Sequence, residues 1–351
     1  MTSDNFKKIP ALRGILNFLF SIGLAALFLY LAFSDVNFGE VMELVSQASI
    51  IWVIIFSVAI LLGHYVRALR WKYILYSVKP DVKMWNLFGA LMIGYGVNCV
   101  TPKLGEVTRA IMIGRYENLS RSSMFGTVIV ERVIDIISLG AAVLISAFIW
   151  RASLYETFPW LAVTLYISAL ALIVVLLMIY LSVKFKEKFY GYFLKFIGKF
   201  SQKFAERLGY IFEMLIQGFT SLKGTKNYML TFLTSIIILI IYALTSYIGF
   251  FMLDMQSLYK VTFEMGWILM SISAIGVVIP TPGATGSYHA LAINTLVLLF
   301  GFGETISAAY AFLTHIISYF LFIVVALIMY FVLDKQHSGI FNIFKTNLDD
   351  K

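Results

Sequence analysis

Long apolar runs alternate with short polar clusters along this chain, and the runs define its elements. Eight segments stand out, at about 14–33, 50–66, 85–101, 124–150, 158–183, 228–252, 266–302 and 305–333. A helix that spans a bilayer needs about 20 consecutive apolar residues. Six of the eight qualify, the second only just. The segment at 85–101 is short and holds Gly89, Gly94, Gly96 and Asn98 before running into Thr101-Pro102-Lys103-Leu104-Gly105-Glu106. The segment at 266–302 is interrupted by Pro280-Thr281-Pro282-Gly283-Ala284-Thr285-Gly286. Both are expected to be broken or re-entrant elements, which a membrane tolerates only where protein or a polar cavity satisfies the freed backbone groups. A half-helix is expected to begin near Gly105.

Composition narrows the class. Of 351 residues, 60% are hydrophobic and 13% charged, with a mean hydropathy of +0.88; soluble domains carry about 25% charged residues. A soluble enzyme, a disordered chain and a secreted disulfide scaffold are excluded. The single cysteine, Cys99, excludes a disulfide framework and a cysteine-based metal site. The expected fold is an all-α integral membrane protein, one transmembrane domain over 1–351. The apolar runs are too long and continuous for a transmembrane barrel.

The net charge of +8 is spread between the segments, which fits membrane topology better than nucleic-acid binding. Lys7, Lys8 and Arg13, the basic residues of 67–83, 103–121 and 184–227, and Lys335, Lys345 and Lys351 make up 24 of the 27 Lys and Arg. Only Arg151 and Lys260 fall in the intervening loops, which carry Asp35, Glu40, Glu43, Asp254 and Glu264. The positive-inside rule then puts both termini in the cytoplasm, as in a multi-pass protein of the cytoplasmic membrane. In the loop at 184–227, Phe185, Phe189, Phe193, Phe196, Phe200 and Phe204 recur at three- and four-residue steps among lysines. That pattern predicts a basic amphipathic helix in the headgroup region, either a generic anchor or a site for anionic lipid.

The two interrupted segments match at an offset of 180. Gly96-Val97 aligns with Gly276-Val277, Thr101-Pro102 with Thr281-Pro282, and Ala110 with Ala290, while Asp135 falls opposite His315. Chance recurrence in apolar sequence is one reading. The other is an internal repeat, about 10–150 and about 158–333, whose halves enter the membrane from opposite sides. Inverted repeats with paired Gly/Pro-interrupted segments point to a transport site near the midplane.

Charge inside the apolar runs marks the candidate site. Glu131, Arg132 and Asp135 lie within one segment, although each charge at the bilayer centre costs about 2.5–3.5 kcal/mol on insertion scales. Glu131 and Asp135 share a helix face, and Arg132 and Asp135 are spaced to pair. They read as a cavity wall or proton relay, or as an ion network that fixes packing. Asn98, Thr101, Lys103, Glu106 and Arg109 crowd the first break, where a half-helix N-terminus and two cations suit phosphate. Arg67, Arg70 and Trp71 close the second segment, as positive-inside flanking or as a phosphate clamp at a cavity mouth. In the second break, Pro282, Gly283 and Gly286 permit close backbone approach, and His289 and His315 titrate near neutral pH when unperturbed. Glu131, Asp135 and His315 are the proton-coupling candidates. The sequence has no Gly-rich nucleotide loop, zinc-ligand spacing or nucleophile elbow, so no cofactor, metal or catalytic residue is expected.

Taken in order, these motifs resemble the lysylphosphatidylglycerol synthase transmembrane family, the flippase-like module of the multiple peptide resistance factor and of many stand-alone proteins. The resembling stretches are Arg67-Ala68-Leu69-Arg70-Trp71; Asn98 with Thr101-Pro102-Lys103-Leu104-Gly105-Glu106-Val107-Thr108-Arg109; Glu131-Arg132-Val133-Ile134-Asp135; and Pro280 to Gly286. The family more often has two glycines after the proline and a Glu near position 289, where this chain has His289. The resemblance implies movement of lipids or lipid-linked head groups between leaflets, without the aminoacyltransferase domain of bifunctional members. The expected function is thus a flippase-like transporter for a membrane phospholipid or a polyprenyl-linked lipid, alone or as an oligomer. The rivals are a lipid-phosphate-dependent glycosyltransferase, with Asp35, Glu40 and Glu43 as its acids, and a non-catalytic lipid-binding subunit.

Overall fold

The computed structural model describes residues 5–34, 36–76, 78–150 and 224–337, with five isolated positions between 170 and 202. The predicted segment at 158–183 and the amphipathic stretch as far as residue 223 lie outside the described residues, those positions aside. Among the described residues every regular element is helical: α1 (Asn5–Phe33), α2 (Phe38–Ser46), α3 (Ile50–Leu75), α4 (Met84–Val100), α5 (Leu104–Tyr116), α6 (Arg121–Ile149), α7 (Thr225–Met252), α8 (Phe263–Val278), α9 (Ser287–Asn294) and α10 (Glu304–His337). Shorter turns occur at Met255–Leu258, Pro282–Ala284 and Thr295–Leu299. This is an all-α membrane protein. Four of these helices are long and apolar enough to cross a bilayer, over Leu16–Phe33, Ile50–Leu75, Thr225–Met252 and Glu304–Lys335. Their outward faces are apolar, with Phe20, Ile54, Phe232 and Phe320 exposed, the inverse of a water-soluble surface.

Two helices depart from the apolar pattern. The second segment does not end at 66: α3 continues through Arg67, Arg70 and Trp71 to Leu75, and all three side chains are buried. The flanking-charge reading of Arg67 and Arg70 is therefore corrected. Carboxylates on α6 receive both guanidiniums, so the helix continues without exposing charge to lipid. The second departure is α2, which the hydropathy pattern passes over because nine residues are too few to span. Asn37 caps it by accepting the Gly39 N–H at 3.0 Å, and Val41 is buried against the core.

The chain divides into two compact units. One comprises residues 1–63, 91–108 and 240–332; the other comprises 64–90, 109–239 and 333–351. In the first unit the core is aromatic. Phe250 stacks at a tilt on Tyr310 (5.2 Å between centroids) and meets Phe302 edge-on, and Tyr310 donates its hydroxyl hydrogen to the Ser246 carbonyl at 2.6 Å. Gly249 makes room for that ring, since a Cβ there would come within 2.6 Å of it.

Both breaks, at 101–104 and 281–284, belong to the first unit, and each turn follows proline with a left-handed residue. At Thr101-Pro102-Lys103-Leu104 the Leu104 N–H bonds to the Thr101 carbonyl (3.4 Å), and Lys103 has φ 64°. At Thr281-Pro282-Gly283-Ala284 the Ala284 N–H bonds to the Thr281 carbonyl (3.1 Å), and Gly283 has φ 56°. Proline presets the second position of such a turn and a left-handed residue occupies the third. In each break the two arms then close on a glycine. A Cβ on Gly105 would collide with the Gly94 carbonyl, and one on Gly276 would lie 2.6 Å from the Ser287 carbonyl. The tips also meet: a Cβ on Gly283 would sit 3.5 Å from the Cys99 Cα, and Tyr319 donates its hydroxyl hydrogen to the Cys99 carbonyl.

Gly105→Ala is expected to lower thermal stability in detergent by roughly 1–3 kcal/mol, because backbone rather than a flexible side chain must yield. Lys103→Gly is expected to leave stability unchanged or raise it by up to about 1 kcal/mol, by removing a left-handed non-glycine residue. Circular-dichroism melts of the two variants check both; a Gly105→Ala protein that melts with the wild type contradicts the close approach of the two arms.

Candidate functional site

The second unit draws six charged groups to one place. On α3, Arg67 and Arg70 are three residues apart and share a face; on α6, Glu131 and Asp135 are four apart and do the same. Arg109, one and a half turns into α5, completes the set with Arg132. At about 1.5 Å rise per residue, Arg67 lies roughly 12 Å from the end of α3 and Glu131 roughly 15 Å from the start of α6. The cluster is thus well inside both helices rather than at a loop.

Glu131 is the hub. Its Oε1 accepts from Arg67 Nε at 2.8 Å and from Arg132 Nη2 at 3.1 Å, with Arg70 Nη2 at 3.6 Å, while Oε2 accepts from Arg109 Nη1 at 2.6 Å. Asp135 pairs with Arg67 and Arg70 through short contacts and with Arg132 at 3.0 Å. The side chain of Glu131 is 0% exposed, Arg70 1%, Arg109 3% and Arg67 7%, whereas Asp135 is 23% and Arg132 37% exposed. The cluster therefore has a sealed end at Glu131 and an open end at Asp135 and Arg132. Among the described residues, four guanidiniums and two carboxylates meet here.

Neutral groups hold the arginines in place. Arg70 Nη1 donates to Ser235 on α7 at 3.1 Å. Arg109 lies over the Trp71 ring, 4.8 Å from its centroid, and Trp71 donates its indole N–H to Thr127 at 3.1 Å. The ring thus shields one face of the guanidinium while attracting its charge. Among the described residues Arg70 Nε and Arg109 Nη2 are buried donors without an acceptor. Buried donors in that state are uncommon and call for an explanation.

The remaining sequence-selected residues fall elsewhere. Asn98 accepts the Gly105 N–H at 2.7 Å and donates to Glu106 at 3.3 Å, so this pair caps α5. Thr101 and Lys103 form the first turn, and Lys103 is exposed. In the second break, Pro282, Gly283 and Gly286 form the turn into α9. His289 accepts the Gly286 N–H through Nδ1 at 3.2 Å. Its ring lies 4.6 Å from that of His315, which contacts Thr285 at 3.3 Å. The structure therefore brings Arg67, Arg70, Arg109, Glu131, Arg132 and Asp135 together. It puts Asn98, Thr101, Lys103, Glu106, Pro282, Gly283, Gly286, His289 and His315 in the first unit. Of the acids considered for a glycosyltransferase, Asp35 lies outside the described residues. Glu40 and Glu43 are on exposed α2, where Glu40 accepts from Asn37 at 3.1 Å.

Sequence reasoning missed three participants. Trp71 reads as an interfacial aromatic and is instead fully buried beneath Arg109. Ser235 gives no signal in its apolar run. Glu117, 4% exposed, accepts from Lys83 N–H and Asn86 Nδ2 and pairs with Lys79 at 2.7 Å, fastening the loop after α3. That hydrogen bond holds the Lys79 ammonium above the ordinary lysine pKa.

The family profile described as "Lysylphosphatidylglycerol synthase TM region" matches residues 18–326. Two curated archaeal proteins are similar over shorter stretches. A UPF0104 membrane protein of Methanothermobacter thermautotrophicus is 34% identical over 103 residues, 28% of this chain and 30% of that protein. A UPF0104 membrane protein of Methanocaldococcus jannaschii is 25% identical over 112 residues, 31% of this chain and 33% of that protein. These alignments thus span about a third of the relatives' length. No solved structure matches the chain. The chain belongs to the lysylphosphatidylglycerol synthase transmembrane family.

Removing one partner of a buried ion cluster costs about 3–5 kcal/mol, because the others are left uncompensated. Glu131→Gln is therefore expected to destabilise the protein more than Asp135→Asn, because Glu131 is fully buried whereas Asp135 is 23% exposed. Thermal unfolding in detergent checks the order; equal melting points contradict Glu131 as the hub.

Proposed function

We propose that this member of the lysylphosphatidylglycerol synthase transmembrane family moves a phosphate-bearing lipid head group between leaflets. One observation carries the reading: Arg67, Arg70, Arg109 and Glu131 are buried together on α3, α5 and α6 in a cluster that opens at Arg132 and Asp135. Intramembrane ionisable groups that face a cavity mark substrate pathways. Arginine suits phosphate because its planar fork presents paired donors to two oxygens. In this mechanism Arg70, Arg109 and Arg132 hold the phosphate. Glu131 and Asp135 balance the arginines when the head group is absent, and Asp135, with His315, is the proton-coupling group. The acyl or prenyl tails remain in lipid throughout, so only the charged head needs a polar path.

The paired breaks support an architecture of two inverted repeats, about 10–150 and 158–333, because both share Thr-Pro followed by a residue of positive φ. The distribution of Lys and Arg supports a cytoplasmic membrane with both termini inside. The lysines of 184–227 favour anionic lipid at that face. The substrate is a phospholipid or a polyprenyl-linked lipid. The family's description, which names a lipid synthase region, accords with lipid as the transported species.

The test is leaflet translocation in proteoliposomes with labelled phospholipids of differing head groups. Wild type is expected to translocate in a head-group-dependent way. Arg109→Ala and Asp135→Asn are expected to lose at least about 90% of that rate while remaining folded, since each removes a group the phosphate must meet or displace. Full translocation by Asp135→Asn overturns the assignment.

A further inference from the structure

We infer that the second break holds a sodium ion, bound by neutral oxygens of Gly276, Thr281, Ala284 and Ser287. The site lies apart from the lipid-transport reading and does not depend on it. The sequence prepares it. In a helix each carbonyl accepts from the N–H four residues on. Pro280 and Pro282 have no N–H, so the carbonyls of Gly276 and Val278 lose that partner at the end of α8. Freed carbonyls at the C-terminal end of a discontinuous helix carry the negative end of its dipole, and such groups coordinate small cations in transporters. At the offset of 180 that relates the two breaks, Ser273, Pro280 and Ser287 fall opposite Ile93, Val100 and Val107. The first break has none of the three.

Ser287 is the centre of the set. Its Oγ lies 2.8 Å from the Gly276 carbonyl oxygen, 3.3 Å from that of Ala284 and 3.1 Å from Thr281 Oγ1. Glycine at 276 permits this approach, since a Cβ there would lie 2.6 Å from the Ser287 carbonyl. The serine hydroxyl has one hydrogen and two carbonyls in reach, so one carbonyl goes without it. Ser273, three residues before Gly276 on the same face of α8, adds a second observation. It is 4% exposed, and its hydroxyl has no hydrogen-bond partner among the described residues. A buried hydroxyl in that state is uncommon. An ion among the four oxygens, with a water in its shell, gives it a partner.

The donor set decides the ion. Hydroxyl and carbonyl oxygens bind hard cations rather than the metals that seek thiolate or imidazole. Among the described residues no group of three or more His, Cys, Asp or Glu gathers to hold such a metal. The set has no carboxylate, so a divalent ion would bring two uncompensated charges into a buried place, whereas a monovalent ion brings one. Thr281 is 4% exposed and Ser287 1%. Three oxygens stand 2.8–3.3 Å from Ser287 Oγ, a spacing that wraps a small ion. The larger potassium ion would force them apart. Each carbonyl oxygen has two lone pairs. Ala284 can therefore keep the Ser287 hydrogen on one and offer the other to the ion. The N–H of Gly286 is already committed to His289 Nδ1 at 3.2 Å.

The experiment measures binding of radiolabelled sodium to the full-length protein in detergent. Saturable binding is expected, with unlabelled sodium displacing the label at least about tenfold more effectively than potassium. Thermal unfolding gives a second readout. Sodium chloride at about ten times its half-saturating concentration is expected to raise the melting temperature by roughly 2–3 °C over equimolar choline chloride. Ser287→Ala and Thr281→Val each remove one ligand oxygen and are expected to weaken sodium binding at least about tenfold. Melting in choline chloride reports their folding separately, and the contrast of sodium with potassium in the wild type needs no variant. Equal effects of sodium, potassium and choline are a general salt effect and overturn the site. So does the absence of saturable sodium binding at physiological ionic strength. Undiminished binding in folded Ser287→Ala and Thr281→Val proteins puts the ion elsewhere and contradicts the assignment. Sodium binding that both variants lose, in a protein that translocates no lipid, leaves the site standing while the transport reading falls.

Discussion

The Glu131 carboxylate, closed off from solvent, is the constraint on which the second unit depends. Three helices deliver guanidiniums to its two oxygens, and each of those arginines would be ruinous in lipid alone. The carboxylate makes it tolerable for α3 to continue past its apolar run. It also gives α5, an amphipathic helix of modest length, a fixed partner on α6. The cluster is not sealed throughout: it opens toward Arg132, which is 37% exposed.

The first unit solves a different problem. Two chain reversals occur within apolar sequence, and freed backbone groups need partners. Each reversal supplies its own: the Thr-Pro turns bond across themselves, Asn98 accepts the Gly105 N–H in the first turn of its half-helix, and glycines let the arms touch. The Tyr319 hydroxyl hydrogen goes to the Cys99 carbonyl at the tip. Lys103 is the exception to economy, a left-handed lysine at the position where the second turn uses Gly283. A side chain retained against backbone preference fits strain stored at a functional element.

Much of this was legible in the sequence. Hydropathy located the long helices because the bilayer sets a length scale that residues must meet. The charged set at 131–135 was legible because charge is so rare in apolar runs, and the half-helix after Gly105 because glycine and proline punctuate the backbone. Other features were hidden for physical reasons. Arg67 and Arg70 at the edge of an apolar run look identical whether they flank a membrane or enter an ion cluster; only the distant acids distinguish the cases. Asn98 and Glu106 look like ligand groups, but a helix terminus has its own demand for them. Ser235 and the packing of Trp71 under Arg109 arise from contacts far apart in the chain, which no local pattern encodes. Helix α2 was missed because a short capped helix at a surface leaves no long apolar trace.

The sequence distance within the cluster also bears on how the protein is made. Arg67 meets Glu131 across 64 positions and Asp135 across 68. Synthesis runs from the N-terminus, so both arginines of α3 reach the membrane well before either carboxylate exists. Until α6 follows, the lower part of α3 has two guanidiniums and no counter-ion, and it is stable only near water or the headgroups. Its final depth is therefore set after translation of α6 rather than at its own insertion. The same ion pairs that shape the finished site thus order the steps of biogenesis, and a change at Glu131 acts on a helix completed more than fifty residues earlier.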